Sequence, residues 1–303
     1  MHACDQIRET VGRVFRAFKT ARRALGHTWP KLNVAVTGRA TPPGGRSRPR
    51  TRYDPNVTLV RTRDAAKIAL TRSPRLYTAL RRPYAMGRFG LRQPHDPDYG
   101  VFGQFRDREG PFLDVGANAG MSALSFRIYH PAPIMSIEPN PFHESDLRFA
   151  GRLARRHSYR MWAAGSEAGQ MMLHIPVYRG VPLTSEASLL REEITDSNYL
   201  RRRLGAGMDS PEFEIVAREV PIHPLDCLDM APDFIKLDVQ GFELQALMGL
   251  RQTLARSHPV LLVETPGSAV QAFLADFAYD AFVYRDRRLE PAIDLDRGNI
   301  VFV

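Results

Sequence analysis

Four residues at fixed spacing, Asp114, Gly116, Asn118 and Gly120, sit in the stretch FLDVGANAG (112–120). Phe112, Leu113 and Val115 form an apolar run that reads as a short buried strand. Met121, Leu124 and Ile128 then recur at helical spacing. A strand, glycine turn and helix in this order place the turn at the carboxyl end of the strand, where open α/β sheets bind ligands. Gly116 and Gly120 have no Cβ and let backbone approach a ligand closely, while Asp114 and Asn118 put polar groups at the edge of the crevice. The spacing D-x-G-x-x-x-G departs from G-x-G-x-x-G and argues against a conventional nicotinamide-dinucleotide site. Three further carboxylates end strand-like runs: Glu138 in IMSIEPNP (134–141), Asp238 in FIKLD (234–238) and Glu264 in VLLVE (260–264).

The elements that must position these groups follow a βα rhythm. After the glycine turn and its helix come the strand ending at Glu138, a helix over 142–153 and a third strand over 159–164. Residues 171–222 interrupt the rhythm with two extended segments, MMLHIPV and EFEIVAREVPI, around a polar middle. FIKLD then precedes a helix carrying Leu244, Leu247 and Met248 on one face, and VLLVE precedes a helix near 269–277. AFVYRD and NIVFV finish the chain as two strands at an antiparallel end of the sheet. Strands alternating with helices imply a mostly parallel, doubly wound α/β sheet.

At 303 residues the chain has room for one large domain with extensions. Residues 1–52 hold twelve Lys/Arg and two Asp/Glu, a local +10 in a chain whose net charge is +9, so the remainder carries −1. The basic character belongs to an arm, whereas a nucleic-acid enzyme more often surrounds its active site with it. This argues against an RNA or DNA substrate without excluding one. Within the arm, residues 8–25 place Val11, Val14, Phe15 and Phe18 on one face among arginines, a pattern for an anionic membrane surface, a partner or the protein's own body. Residues 41–52 (TPPGGRSRPRTR) read as a flexible linker. Residues 53–108 read as a lead-in layer over one sheet edge, with short helices at 64–70 and 74–80 capped by Asp64 and Ser73. Cys4 and Cys227 are expected to be reduced thiols in a cytoplasmic protein. No apolar run approaches the ~20 residues of a bilayer span, no secretory leader is evident, and no Cys/His spacing suggests a zinc site, so the chemistry is expected to be metal-free.

Several segments together resemble the FkbM-type S-adenosylmethionine-dependent methyltransferases. They are FLDVGANAG, SIEPNP (136–141), ASL (187–189) and LDCLDMAPDFIKLDVQGFELQALMGL (225–250), supported by VLLVE and NIVFV. Their order and spacing match from Phe112 to the C-terminus. The resemblance implies a class I methyltransferase (Rossmann-like) fold, with a seven-stranded, mostly parallel doubly wound sheet whose last strand is antiparallel, carried here behind a basic N-terminal extension over a methyltransferase domain at 109–303. It also implies S-adenosyl-L-methionine as cofactor. The methionine end would lie on Asp114, Gly116, Asn118 and Gly120, the ribose hydroxyls on Glu138, and the adenine beside Ala163 and Ala164. A carboxylate suits a vicinal diol because it accepts two hydrogen bonds, and ionised acceptors form the stronger ones. The family's D-x-E-G reads Asp238-Val239-Gln240-Gly241 here, which keeps an acceptor oxygen and removes a charge. Asp238, Gly241 and Glu243 are retained.

Methyl transfer to a hydroxyl needs alignment and gains from a general base. Asp238 is the candidate base, with orientation of the cofactor as its other role. His174 and His223 are alternatives, although a lone histidine beside strands is more often structural. Ser188, Gln240, Glu243 and Glu264 are candidate substrate contacts, and the insertion at 171–222, with Tyr178, Thr184 and Ser185, is the expected recognition element. The expected reaction is O-methylation of a small-molecule or glycan hydroxyl, and the family resemblance points to a sugar, glycolipid, polysaccharide or polyketide-type product as acceptor. Two alternatives stand: a nucleic-acid methyltransferase that uses the arm, and a catalytically weakened cofactor-binding protein tethered to a membrane or partner through residues 8–25.

Overall fold

A computed structural model describes residues 74–295 and 298–303. The expectations for the helix at 8–25, the linker at 41–52 and the helix at 64–70 lie outside the described residues. The first described element is α1 (Pro74–Gly90), longer than the expected 74–80 and carrying Pro83 in its interior. A 3-10 helix follows at Pro97–Gln104, started by Asp96, whose side chain accepts the Asp98 amide.

The main sheet begins with β1 (Phe112–Val115), then α2 (Met121–Tyr129), β2 (Ile134–Ile137), α3 (Glu144–Ala154) and β3 (His157–Arg160). A second, four-stranded sheet comes next, from β4 (Ala163–Ala164), β5 (Gly169–Tyr178), β6 (Val181–Pro182) and β7 (Phe213–His223), in the order β4-β7-β5-β6. Two short helices, α4 (Arg191–Thr195) and α5 (Asn198–Leu204), lie between β6 and β7. The chain returns to the main sheet with β8 (Phe234–Leu237), α6 (Glu243–Met248), α7 (Arg251–Ser257), β9 (Val260–Glu264), α8 (Gly267–Ala275), β10 (Ala281–Arg285), β11 (Arg288–Pro291) and β12 (Asn299–Phe302).

The main sheet has the order β11-β10-β12-β9-β8-β1-β2-β3, which is eight strands where seven were expected. The extra strand is β11, which turns back on β10 as an antiparallel hairpin. The strands β3, β2, β1, β8 and β9 pair in parallel, and β12 runs against both β9 and β10. The expected single strand over 159–164 is split. Its first part extends the main sheet as β3, and Ala163 and Ala164 pair with Ile222 and His223 in the second sheet.

Parallel strands covered on both faces read as near-continuous apolar runs, and β1 and β8 are buried at all four positions, Asp114 and Lys236 being their polar members. On one face Leu113, Val115, Ile235, Leu237, Leu261 and Val263 pack under α6, α7 and α8. On the other, Phe112 stacks flat on Phe126 of α2 with centroids 4.1 Å apart, and Phe102 meets Phe126 edge-on at 5.3 Å. Register aligns the strand ends: Val115 lies opposite both Ile137 and Leu237, and Leu237 lies opposite Val263. The next residues, Gly116, Glu138, Asp238 and Glu264, therefore emerge at one edge.

Candidate active site

Gly116 has φ +75°, and a Cβ built on it would stand 1.7 Å from the backbone oxygen of Asp238. Only glycine lets β1 turn out of the sheet this close to the end of β8. Asn118, also left-handed at φ +50°, donates its backbone N–H to Glu138 Oε2 at 2.7 Å, while its own Oδ1 accepts the Ala119 amide at 2.8 Å. The other Glu138 oxygen accepts the Asn140 amide at 2.8 Å. Burial pushes the Glu138 carboxyl up to about 7, against the pull of those two amides.

Behind the turn lies a buried polar row. Asp114 stands in register between Ser136 on β2 and Lys236 on β8. Ser136 Oγ donates to Asp114 Oδ2 at 3.1 Å and lies 2.9 Å from His157 Nε2. Burial raises Asp114 to about 6, with the nearby Lys236 cation as the main opposing influence. Burial disfavours the Lys236 ammonium, but the charges of Asp238 and Asp114 outweigh it and hold it protonated. Lys236 Nζ donates to the Gly116 carbonyl at 2.9 Å and to Asp238 Oδ2 at 3.0 Å, fastening the glycine turn to the end of β8.

Asp238 Oδ1 accepts from Gln240 Nε2 at 2.9 Å. Burial favours its neutral form, yet Lys236 and bonds from Glu264 and Gln240 hold Asp238 below the ordinary carboxylate range. Glu264, at the end of the neighbouring strand, is pushed up to about 8, first by the charge of Asp238 and then by burial. The two carboxyl groups titrate as a pair in which the proton favours Glu264 over Asp238.

The glycine turn, Glu138, Asp238 and Gln240 open onto a pocket of about 690 Å³, counting its mouth. Gly116, Asn118, Glu138, Ala164, Ser188, Asp238 and Gln240 all reach it, and Ala163 does too. Asp114 lies behind the pocket wall, in the polar row. Gly120 (φ +80°) faces α3, where a Cβ would stand 2.6 Å from that of Ala150. Glu243 Oε1 accepts the Val239 and Gly241 amides at 3.1 and 3.3 Å and so shapes the turn after β8. His223 packs edge-on against Trp162, with centroids 5.4 Å apart, away from the pocket. Glu264 lines a neighbouring pocket.

The insertion closes the site. Ser188 bridges to His174, and its Oγ donates to the Gln240 carbonyl at 3.3 Å and accepts the Leu190 amide at 3.0 Å. Thr184 is held from the other side: its Oγ1 accepts from Arg81 at 3.1 Å and its carbonyl from Asn140 at 3.3 Å. Arg81 also bonds His143 Nδ1 and pairs with Asp146. Neither Lys236 nor Arg81 was among the sequence candidates. A lysine inside the apolar strand FIKL was the available signal for the first; for Arg81, in a segment without clear periodicity, there was none.

A family model described as the Methyltransferase FkbM domain matches residues 114–279, more than half of the chain. The chain belongs to this family. S-adenosylmethionine is the cofactor that membership implies, and the pocket fits it: a turn that only glycine can make, a buried acidic side chain at the end of β2, and small side chains at Ala163 and Ala164 in the wall. Among solved structures, methyltransferase FkbM from Methylobacillus flagellatus KT aligns at TM-score 0.41 and 17% identity, covering 64% of this chain and 44% of that one. This chain therefore spans less than half the length of that relative. Precorrin-6y C5,15-methyltransferase from Geobacter metallireducens GS-15 aligns at 0.35 and 12%, covering 67% and 82%. Aeropyrum pernix fibrillarin, solved with natively bound S-adenosyl-L-methionine, aligns at 0.33 and 14%, covering 64% and 66%. No curated protein matches. Among the described residues no helix is long and apolar enough to cross a membrane, and no group of three His, Cys, Asp or Glu residues is placed to hold a metal ion.

Proposed function

We propose that this protein transfers a methyl group from S-adenosylmethionine to a hydroxyl oxygen of a sugar, glycolipid, polysaccharide or polyketide-type acceptor. The observation that carries this is the alignment of Gly116, Glu138 and Asp238 at one sheet edge, facing a single pocket roofed by the insertion. Glu138 would hold the ribose, since each of its oxygens accepts only one amide and keeps a lone pair for a hydroxyl. Gly116 and Asn118 would take the methionine end, and Ala163 and Ala164 would lie against the adenine. Asp238, fixed by Lys236 and Gln240, orients what binds beside it. When bound, the cofactor would supply an electrophilic methyl carbon on a sulfonium to the acceptor oxygen, with sulfur keeping the electron pair and the acceptor's proton passing to a base. The insertion, which contributes Thr184, Ser185 and Ser188 to the pocket, provides substrate recognition on this reading.

Calorimetric titration with S-adenosylmethionine and S-adenosylhomocysteine tests the cofactor, with micromolar binding expected. Incubation with the cofactor labelled with ¹³C at its methyl group, against a panel of methyl glycosides and hydroxylated polyketides, tests the acceptor. An O–¹³CH₃ resonance supports the reading. Binding of the cofactor with label found only on nitrogen or carbon of any acceptor overturns the O-methylation part.

A further inference from the structure

A second cavity of about 1000 Å³, counting its mouth, adjoins the first. Ser185 and Gln240 belong to both walls, so the two cavities meet at these side chains. Asp238 lines only the first cavity and Glu264 only the second. The electrostatically coupled pair they form therefore spans the boundary: one carboxyl lines the proposed cofactor side and the other lines the second cavity. We propose that the second cavity receives the methyl acceptor and that Glu264 takes the proton from its hydroxyl, with Asp238 as the positioning residue. The inference rests on the methyltransferase reading above.

The two carboxyl groups differ in what they can do. Both Asp238 oxygens are engaged, by Lys236 and by Gln240, and a carboxylate satisfied in this way is a poor proton acceptor. Glu264 has the opposite character: raised to about 8, it matches the requirement that a general base titrate near the working pH. Its neighbours set that value. Asp238 and Glu243 raise it and Lys236 lowers it. Across the cavity the insertion presents Glu192, Glu193 and Asp196, together with Glu186, which pairs with Arg203 at 3.1 Å. A positive charge brought into the first cavity favours the ionised pair, so a bound sulfonium would lower the proton affinity of Glu264, and a neutral thioether in its place would not. Serine, asparagine and carboxylate groups on the second wall suit an acceptor with several hydroxyls.

The test compares two ligands that differ by one methyl group and one positive charge. Glu264 is followed by carboxyl ¹³C NMR of the full-length protein labelled at glutamate, assigned by loss of the resonance in Glu264→Gln. With S-adenosylhomocysteine its midpoint should remain far above that of a solvated glutamate, and with S-adenosylmethionine it should fall by about 1–3 pH units. Binding of both ligands with the same Glu264 midpoint overturns this inference alone. Absence of calorimetric binding to either compound overturns the methyltransferase reading and this inference with it. An Asp238→Asn variant adds a second readout. Without the neighbouring negative charge, the Glu264 midpoint should move down in the free protein, and an unmoved midpoint overturns the coupling on which the proposal stands.

Discussion

The Glu138 carboxylate accepts the Asn118 amide at 2.7 Å, which ties the end of β2 to the glycine turn after β1. Two neighbouring strand ends are thereby locked together by the group that the proposed function assigns to the ribose. The same carboxyl is buried and holds its proton up to about 7.

A pH dependence of cofactor affinity follows. A vicinal diol donates hydrogen bonds to the ionised form, so binding is favoured above about 7 and lost below it. The affinity for S-adenosylhomocysteine should be about tenfold weaker at pH 6 than at pH 8, because the ionised fraction changes by that factor around a midpoint of 7. In the free protein the sign is reversed. A carboxyl raised above its ordinary 4.5 contributes stability that is full below 4.5 and lost as pH climbs through 7. Calorimetry at both pH values, repeated on Glu138→Gln, checks this. The variant should bind weakly at either pH, and a wild-type affinity that does not change with pH refutes the assignment.

Lys236 is a counter-charge for four carboxyl groups, Asp114, Glu138, Asp238 and Glu264. Replacing it by methionine keeps the stem and removes the charge, leaving the buried Asp114 and the half-buried Asp238 uncompensated. The expected cost is about 3–5 kcal/mol at pH 8, by analogy with broken buried pairs. At pH 5 Asp114, raised to about 6, and Glu264, raised to about 8, are protonated and need no partner. Denaturant unfolding of Lys236→Met should therefore show a smaller loss at pH 5 than at pH 8, and an equal loss would mean that the lysine acts through packing alone.

Gly120 and Ala150 form a close contact between the first turn of α2 and the body of α3. Gly120→Ala brings two methyl groups to 2.6 Å at a left-handed backbone position. The expected loss is about 1–3 kcal/mol from overpacking, with about 1 kcal/mol more from the backbone. Ala150→Gly alone should cost about 1 kcal/mol in helix propensity. Combining the two removes the collision, so the double variant should be more stable than the summed single losses predict by about 1–3 kcal/mol. Strict additivity in thermal or denaturant unfolding would show that α2 sits elsewhere.

The glycine turn, the acidic strand ends and the βα rhythm were legible because each depends on local pattern: four buried residues of β1, a positive-φ glycine, a carboxylate closing an apolar run. What escaped depended on contacts remote in sequence. The strand expected at 159–164 divides because Ala163 and Ala164 find partners at Ile222 and His223, about 60 residues on, which no local pattern encodes. The eighth strand, β11, is exposed at Arg288, Glu290 and Pro291 and exists through its pairing with β10. Among the candidate site residues, Glu243 and Gly120 reach the site only through the backbone they shape. Glu264 belongs to a second cavity whose far wall comes from the middle of the insertion.

Gln240 stands where the family pattern has glutamate, and its amide is engaged in the structure, with Nε2 donating to Asp238 Oδ1 at 2.9 Å. Glutamate at this position removes that donor and adds a third carboxyl beside Asp238 and Glu264. Like charges this close cannot all ionise, so the group must take up a proton or turn away. Gln240→Glu should therefore leave the fold intact, since the side chain is exposed, and raise the midpoint of Glu264 further. On the proposed mechanism, the pH at which methyl transfer reaches half its maximum then moves up with Glu264, while binding of S-adenosylhomocysteine, which does not use that carboxyl, changes less than about threefold. Measuring the pH–rate profile and the affinity on the same preparation separates the outcomes. A rate that rises at unchanged pH dependence would show that glutamine is a deficit in this chain, and a profile displaced upward with intact affinity would show that it is compensated by the bond to Asp238.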